Sequence, residues 1–235
     1  MNDFQRHPTA AYGSDQVIDA GLQGFMRGVY NTMGAGLALT GIVAFAVANF
    51  PPLFNAIFGT PLAWVVMFAP LAFLLFGFTP GRVARMESGK LRTLFFVFAA
   101  LMGLSMASIF VVFTGESIAR VFFITAATFA ATSLYGYTTK KDLSGMGGFL
   151  FMGVIGILIA SIVNIFLGSA MVQFVVSIIG VLVFTGLTAY ETQMLKETYA
   201  YGRGNDKLAV MGALNLYLSF INLFQFLLSL MGNRE

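Results

Sequence analysis

A single acidic side chain, Glu191, lies inside an apolar stretch of membrane length, in the segment Thr188 to Glu197 that reads TAYETQMLKE. A charged carboxylate near the centre of a helix in hydrocarbon costs roughly 2.5–3.5 kcal/mol on insertion scales, so its presence calls for a partner or a task. Two placements fit. About one turn from the end of its stretch, Glu191 can be interfacial and solvated. Turned to a helix bundle instead, it would act as a proton sensor or a cation ligand, according to its protonation state. Lys196 is five residues on, outside the three- or four-residue spacing at which helical side chains pair.

A second constellation lies further along. Gly212, Asn215, Ser219, Asn222, Phe226 and Ser229 recur at three- and four-residue intervals, which puts them on one helical face. A polar stripe on a span faces protein or water rather than lipid. Either it hydrogen-bonds across helices as glue, or Asn215, Ser219 and Asn222 line a hydrated path.

Other chemistry is scarce. The chain has no cysteine, hence no disulfide, thiolate metal site or catalytic thiol, and its one histidine, His7, sits in the polar start. Intramembrane proteolysis needs a Ser–His pair or two intramembrane aspartates, and Asp142 and Asp206 fall in expected loops. An enzyme is the least favoured class, and no cofactor is called for.

The elements that must position these residues follow from composition. Of 235 residues, 58% are hydrophobic and only 10% charged, whereas soluble domains carry about 25% charged residues. This is an all-α, polytopic membrane protein. A span needs about 20 apolar residues, and seven stretches qualify: Val29–Phe50, Leu62–Phe78, Leu94–Phe113, Val121–Tyr137, Gly147–Leu167, Val172–Leu195 and Leu208–Met231. The second and fourth are short. Pro51-Pro52, Pro61 and Pro80-Gly81 punctuate the first two connections. Met1 to Gln23 is polar and lacks signal-peptide organisation, so residues 1–26 are expected to form a retained, cytoplasmic, partly disordered tail before a seven-helix domain over 27–232.

With the N-terminus inside, the cytoplasmic segments hold eleven of the 13 basic residues, leaving only Arg120 and Arg234 outside. That split supports N-in, C-out with an odd number of spans. Topology therefore explains the net charge of +3 without an anionic partner such as nucleic acid. A six-span arrangement with the last segment re-entrant is the lesser alternative. Three helices, three of opposite orientation and one more also permit an inverted repeat, although the halves share no evident identity. Gly24 with Gly28, Gly103 with Ser108, and Gly153, Gly156 and Ala160 are small residues suited to close helix packing.

TAYETQ followed by MGALNLYLSFINLFQFLL resembles the paired signature of the transmembrane Bax inhibitor motif family, bacterial branch. The similarity extends through GLQGFMRGVYNTMGAGLALTG, ARVFFITAATFAATSLYGYTTKKDLSGMG and SIVNIFLGS, nearly the whole chain after the tail. The resemblance implies seven helices with the last at the centre of two three-helix layers, in the inner membrane. It also implies a pH-sensitive calcium or cation leak, with two acidic residues sharing a proton and an arginine near the end of the second helix closing the path. Here that arginine is Arg82 or Arg85.

The chain departs from the family pattern at the acidic pair. Glu191 takes the first acidic position, with a longer side chain than the usual aspartate, and uncharged Ser219 takes the second. Two close carboxylates share a proton and hold a divalent ion jointly. Glu191 with Ser219 can do neither as strongly, so Glu191 is expected to be at most a weak calcium ligand. The competing expectation is a regulatory protein that binds a membrane partner, such as the membrane-bound ATP-dependent protease associated with some bacterial relatives, through its polar tail and without ion flux.

Overall fold

In a computed structural model, which describes residues 9–233, helix accounts for nearly all of the chain, with no strand among those residues. The helices are α1 (Thr9–Ala48), α2 (Pro51–Phe58), α3 (Leu62–Gly77), α4 (Pro80–Arg85), α5 (Ser88–Met106), α6 (Ile109–Val112), α7 (Gly115–Thr138), α8 (Ser144–Leu167), α9 (Ala170–Thr198) and α10 (Asp206–Met231).

Six of the described segments are long and apolar enough to cross a bilayer: Ala20–Ala48, Ser88–Val112, Gly115–Thr138, Ser144–Leu167, Ala170–Gly202 and Asp206–Met231. A seventh span exists if α2 and α3, bent by 83° at their junction, are counted together. At 16 residues α3 is about 24 Å long, short of the ~30 Å hydrocarbon core. The ambiguous span is thus the second, not the last. The prolines explain it: Pro51 and Pro52 open α2, where a missing N–H costs nothing, and Pro61 precedes α3. Residues read as connections are therefore themselves partly helical.

Other boundaries also move outward. The fourth span is not short, because Glu116 and Arg120 belong to its first turns and Thr114 caps it, accepting from the Ser117 N–H at 3.3 Å. Asn205 caps α10 through the Leu208 N–H at 2.8 Å, so Asp206 begins that helix instead of lying in a loop. Helix α1 is continuous from Thr9, so much of the segment read as a tail is helical. His7 and Arg234 lie outside the described residues. After α9 a π-turn over Tyr199–Arg203 is kinked at Gly202, whose φ of 71° is open to glycine and strained for other residues.

The helices sort into two groups around one centre. Helices α1, α3 and α5 pack together, as do α7, α8 and α9, and α10 packs against α1, α5, α7 and α9. More than half of the most apolar window of α10 is buried, against a third or less for the other spans. Tyr217, the largest fully buried side chain, ties α10 to the first group: its hydroxyl meets Thr40 Oγ1 at 2.7 Å, and Thr40 donates to the Ala99 carbonyl at 2.9 Å.

The small residues at tight helix contacts are largely not those that sequence spacing singles out. A Cβ on Gly24, Gly28 or Gly156 would meet open space, while Gly103 and Gly153 do approach Thr40 and Val43, and Val183, respectively. Gly36 lies against the Phe95 ring, Gly136 against the backbone of Ala189 and Gly180 against the Phe226 ring. Ser108 stands at the break between α5 and α6.

Candidate functional site

Helix α9 places Glu191 about two turns from its end, because the helix continues past Leu195 to Thr198. Glu191 is partly buried there and accepts a hydrogen bond at Oε2 from Ser219 Oγ at 2.8 Å. Among the described residues this carboxylate has no ion pair and no other hydrogen-bond partner.

The stripe on α10 turns out to follow α9 along its length. Gly212 lies against Leu195, Ser219 meets Glu191, and Phe226 sits over Gly180 with its ring stacked on Phe184 at 5.9 Å. Near the far end, Gln173 Nε2 donates to Ser229 Oγ at 3.2 Å. Four of the six stripe residues thus form an antiparallel seam between the last two spans. Asn222 donates to the Leu218 carbonyl of its own helix at 2.8 Å, and Asn215, half-buried, makes no hydrogen bond among the described residues. At Ser229 the polar stripe acts as interhelical glue; interhelical hydrogen bonds of this kind contribute about 0.6 kcal/mol each on average.

Arg82 and Arg85 are not brought to this pair. Both are exposed on the short helix α4, where Arg82 Nη1 donates to the Phe76 carbonyl at 3.2 Å. Their helix is nonetheless tethered to the start of α10, since Lys207 Nζ donates to the Ala84 carbonyl at 3.1 Å. Asp142, in the loop between α7 and α8, accepts from the Ser144 N–H at 2.8 Å, and the side chain and backbone N–H of Ser144 hold its carboxyl below the usual carboxylate range. A depressed value stabilises the folded form at higher pH, and that contribution is lost as pH falls through it.

Several residues around Glu191 carry structure that the acidic signature alone does not announce. Thr192 Oγ1 meets Ser133 Oγ of α7 at 2.9 Å, and Ser133 in turn is bonded to the Tyr30 hydroxyl of α1. Gln193 Oε1 accepts from the Leu143 N–H at 2.7 Å while its Nε2 donates to the Lys141 carbonyl at 2.8 Å. Tyr190 packs under Gly147 of α8. Four successive residues therefore reach α8, α10, α7 and the α7–α8 loop. The signal available in the sequence is the density of polar side chains, with Thr188, Glu191, Thr192 and Gln193 within six residues of an otherwise apolar span.

The Gln193 clamp yields a direct expectation. Gln193→Ala should leave the bundle folded but free the 139–143 loop, raising its cleavage rate in limited proteolysis severalfold while cleavage elsewhere is unchanged. Equal protection of the loop in both proteins would refute the clamp.

Calcium takes six to eight oxygen ligands, and Glu191 with Ser219 supplies only part of such a shell. Among the described residues no group of three or more His, Cys, Asp or Glu could hold a metal ion. An ion at the pair would keep most of its water, which suits transient passage better than tight retention.

The fold and the site define a multi-pass α-helical membrane protein whose central helix meets its neighbour through one carboxyl–hydroxyl pair. The chain belongs to the family described as inhibitor of apoptosis-promoting Bax1, whose model matches residues 22–235, in agreement with the resemblance read from the paired signature. It is 46% identical over 253 aligned residues to a protein of Caulobacter vibrioides, with 100% of each chain covered. It is 44% identical to the inner membrane protein YbhL of Escherichia coli, over 94% of this chain and 97% of that one. A protein of Rickettsia prowazekii is also 44% identical, over the whole of both chains.

Proposed function

We propose that the protein is a slow, pH-modulated cation leak, with calcium as a permeant ion and Glu191 as the titrating ligand. The observation that carries this reading is the Glu191–Ser219 hydrogen bond across the α9–α10 seam, a partly buried carboxyl with no basic partner among the described residues. Protonation removes the charge yet leaves a pair that still hydrogen-bonds, so the contact can switch its ion affinity without losing its geometry. A path then runs beside the seam, with Ser219 on the seam and Asn215 and Asn222 flanking it as its lining. Arg82 or Arg85 closes the path from α4, through the tether between that helix and α10.

The proposed setting is the inner membrane, as the name of the Escherichia coli relative says of that protein, with the N-terminus inside by the distribution of basic residues.

The test is calcium influx into proteoliposomes loaded with an indicator, from acidic to mildly alkaline pH, for native protein and Ser219→Asp. Native protein should leak with a single titration. Ser219→Asp should leak faster by about tenfold and show two coupled steps, as a carboxylate pair does. Silent native protein with an active Ser219→Asp would overturn the leak, and leave a chain that kept the path without its trigger and acts by binding a membrane partner. Silence in both would overturn the path as well.

A further inference from the structure

The two helix groups do not close on one another where α1 faces α7. Two cavities, one of about 700 Å³ and one of about 290 Å³, lie between these helices at successive depths. The larger is walled by Arg27, Tyr30 and Asn31 on one side and Phe129, Ala130 and Tyr137 on the other. The smaller continues toward Ala44 and Ile118, with Phe220 and Ile221 of α10 in its lining. The Tyr30–Ser133 hydrogen bond bridges the gap. From Arg27 to Ala44 is roughly 26 Å along α1 at 1.5 Å per residue, close to the ~30 Å of a hydrocarbon core. Together the two hollows form a lateral crevice, in two successive sections, along that length of α1.

Its polarity is graded. Arg27 stands at one end, exposed, with no hydrogen bond or ion pair among the described residues. Lys196 lies at the same mouth, its Nζ 5.3 Å from the centroid of the Tyr137 ring that lines the cavity. Lys140 and Lys141 follow Tyr137 by a few residues. One turn deeper than Arg27 come Asn31 and the Tyr30 hydroxyl, and deeper still Ala130, Phe129 and the apolar second cavity. Cations at the rim, hydrogen-bonding groups one turn down and an apolar trench below match a phosphate, ester linkages and acyl chains in that order. An apolar ligand would leave Arg27 unanswered, and a free anion would leave the trench empty.

We propose that the crevice between α1 and α7 is a binding site for one anionic phospholipid, with its phosphate on Arg27 and its chains along Phe129 and Ala130. The site is independent of ion flux. A basic residue near an anionic membrane surface contributes about 1 kcal/mol, or roughly fivefold in affinity.

Native mass spectrometry of the full chain in detergent tests this, with phosphatidylglycerol competing against phosphatidylcholine of identical chains. Native protein should retain one phosphatidylglycerol in about fivefold preference. Arg27→Gln should bring the preference to parity, Arg27→Lys should keep most of it, and Ala130→Trp should reduce retention of both lipids by filling the trench. Thermal melting of each variant establishes that it is folded; Arg27 and Ala130 are both exposed, so the bundle should tolerate the changes. Equal retention of the two lipids by native protein, or an undiminished preference in Arg27→Gln, would overturn the proposal. Displacement of the lipid by inorganic phosphate alone would also overturn it, in favour of a plain anion site.

Discussion

Glu191→Gln is expected to flatten the pH dependence of calcium flux and to leave the protein at least as stable as the native form. Glutamine is nearly isosteric, and its carbonyl oxygen can accept from Ser219 Oγ as the carboxylate does. What changes is that the group no longer titrates and carries no charge. A charged side chain at a helix centre in hydrocarbon costs roughly 2.5–3.5 kcal/mol, and removing it should recover some fraction of that, given that Glu191 is only partly buried. Glu191→Leu is the informative companion, because it also removes the charge but strands the Ser219 hydroxyl. Loss of that interhelical hydrogen bond costs about 0.6–1.7 kcal/mol, so the leucine protein should melt below the glutamine protein. Melting in detergent, read beside flux in proteoliposomes, separates the two effects. A glutamine variant that melts well below native protein would mean that the charge itself holds the seam together. A pH profile unchanged from native would remove Glu191 from the sensing role.

Gly136→Val should abolish the folded bundle, the largest structural effect expected of any single substitution here. A side chain on Gly136 would press into the backbone carbonyl of Ala189, which cannot swing aside as the end of a flexible side chain can. Overpacking a well-filled contact typically costs 1–3 kcal/mol, and a β-branched residue against backbone lies at or beyond the upper end. Forcing α7 from α9 at this point also strains the Ser133–Thr192 hydrogen bond three residues away, and with it the link to Tyr30. The contrast is Gly28→Ala, where a Cβ meets nothing within 4 Å. Size-exclusion profiles and melting curves should show aggregation or a greatly lowered transition for the first and native behaviour for the second. Matching curves would refute the close approach of α7 and α9.

These glycines show where the sequence stops being legible. Gly24 and Gly28 have the four-residue spacing of a packing motif, yet a Cβ on either would meet no close neighbour, whereas Gly136 and Gly180 stand without a motif and lie against the Ala189 backbone and the Phe226 ring. Spacing fixes which residues share a face; it does not fix which helix that face meets. The stripe on α10 was visible for the first reason, since a three-four rhythm of Asn and Ser in an apolar span is a local property. That it follows α9 from Gly212 to Ser229 is a property of the assembly. Glu191 was conspicuous because charge in hydrocarbon is rare. Thr192 and Gln193, its neighbours, were not, because small polar groups in spans are common and only their partners give them meaning. The bend between α2 and α3 was foreshadowed by Pro51, Pro52 and Pro61, which mark interruptions without saying whether the pieces stay in line.

The central place of α10 has a consequence for how the molecule is made. In the chain α10 follows every helix that surrounds it, so the translocon must deliver α1 to α9 to the bilayer before their common partner exists. During that interval the faces that will receive Tyr217 and Ser219 have only lipid or one another to contact, with Thr40 and Glu191 on them. Release of α10 into the waiting assembly is then the committing event, and a ribosome stalled before Asp206 would leave a membrane-inserted chain without its keystone, a ready substrate for quality-control proteolysis.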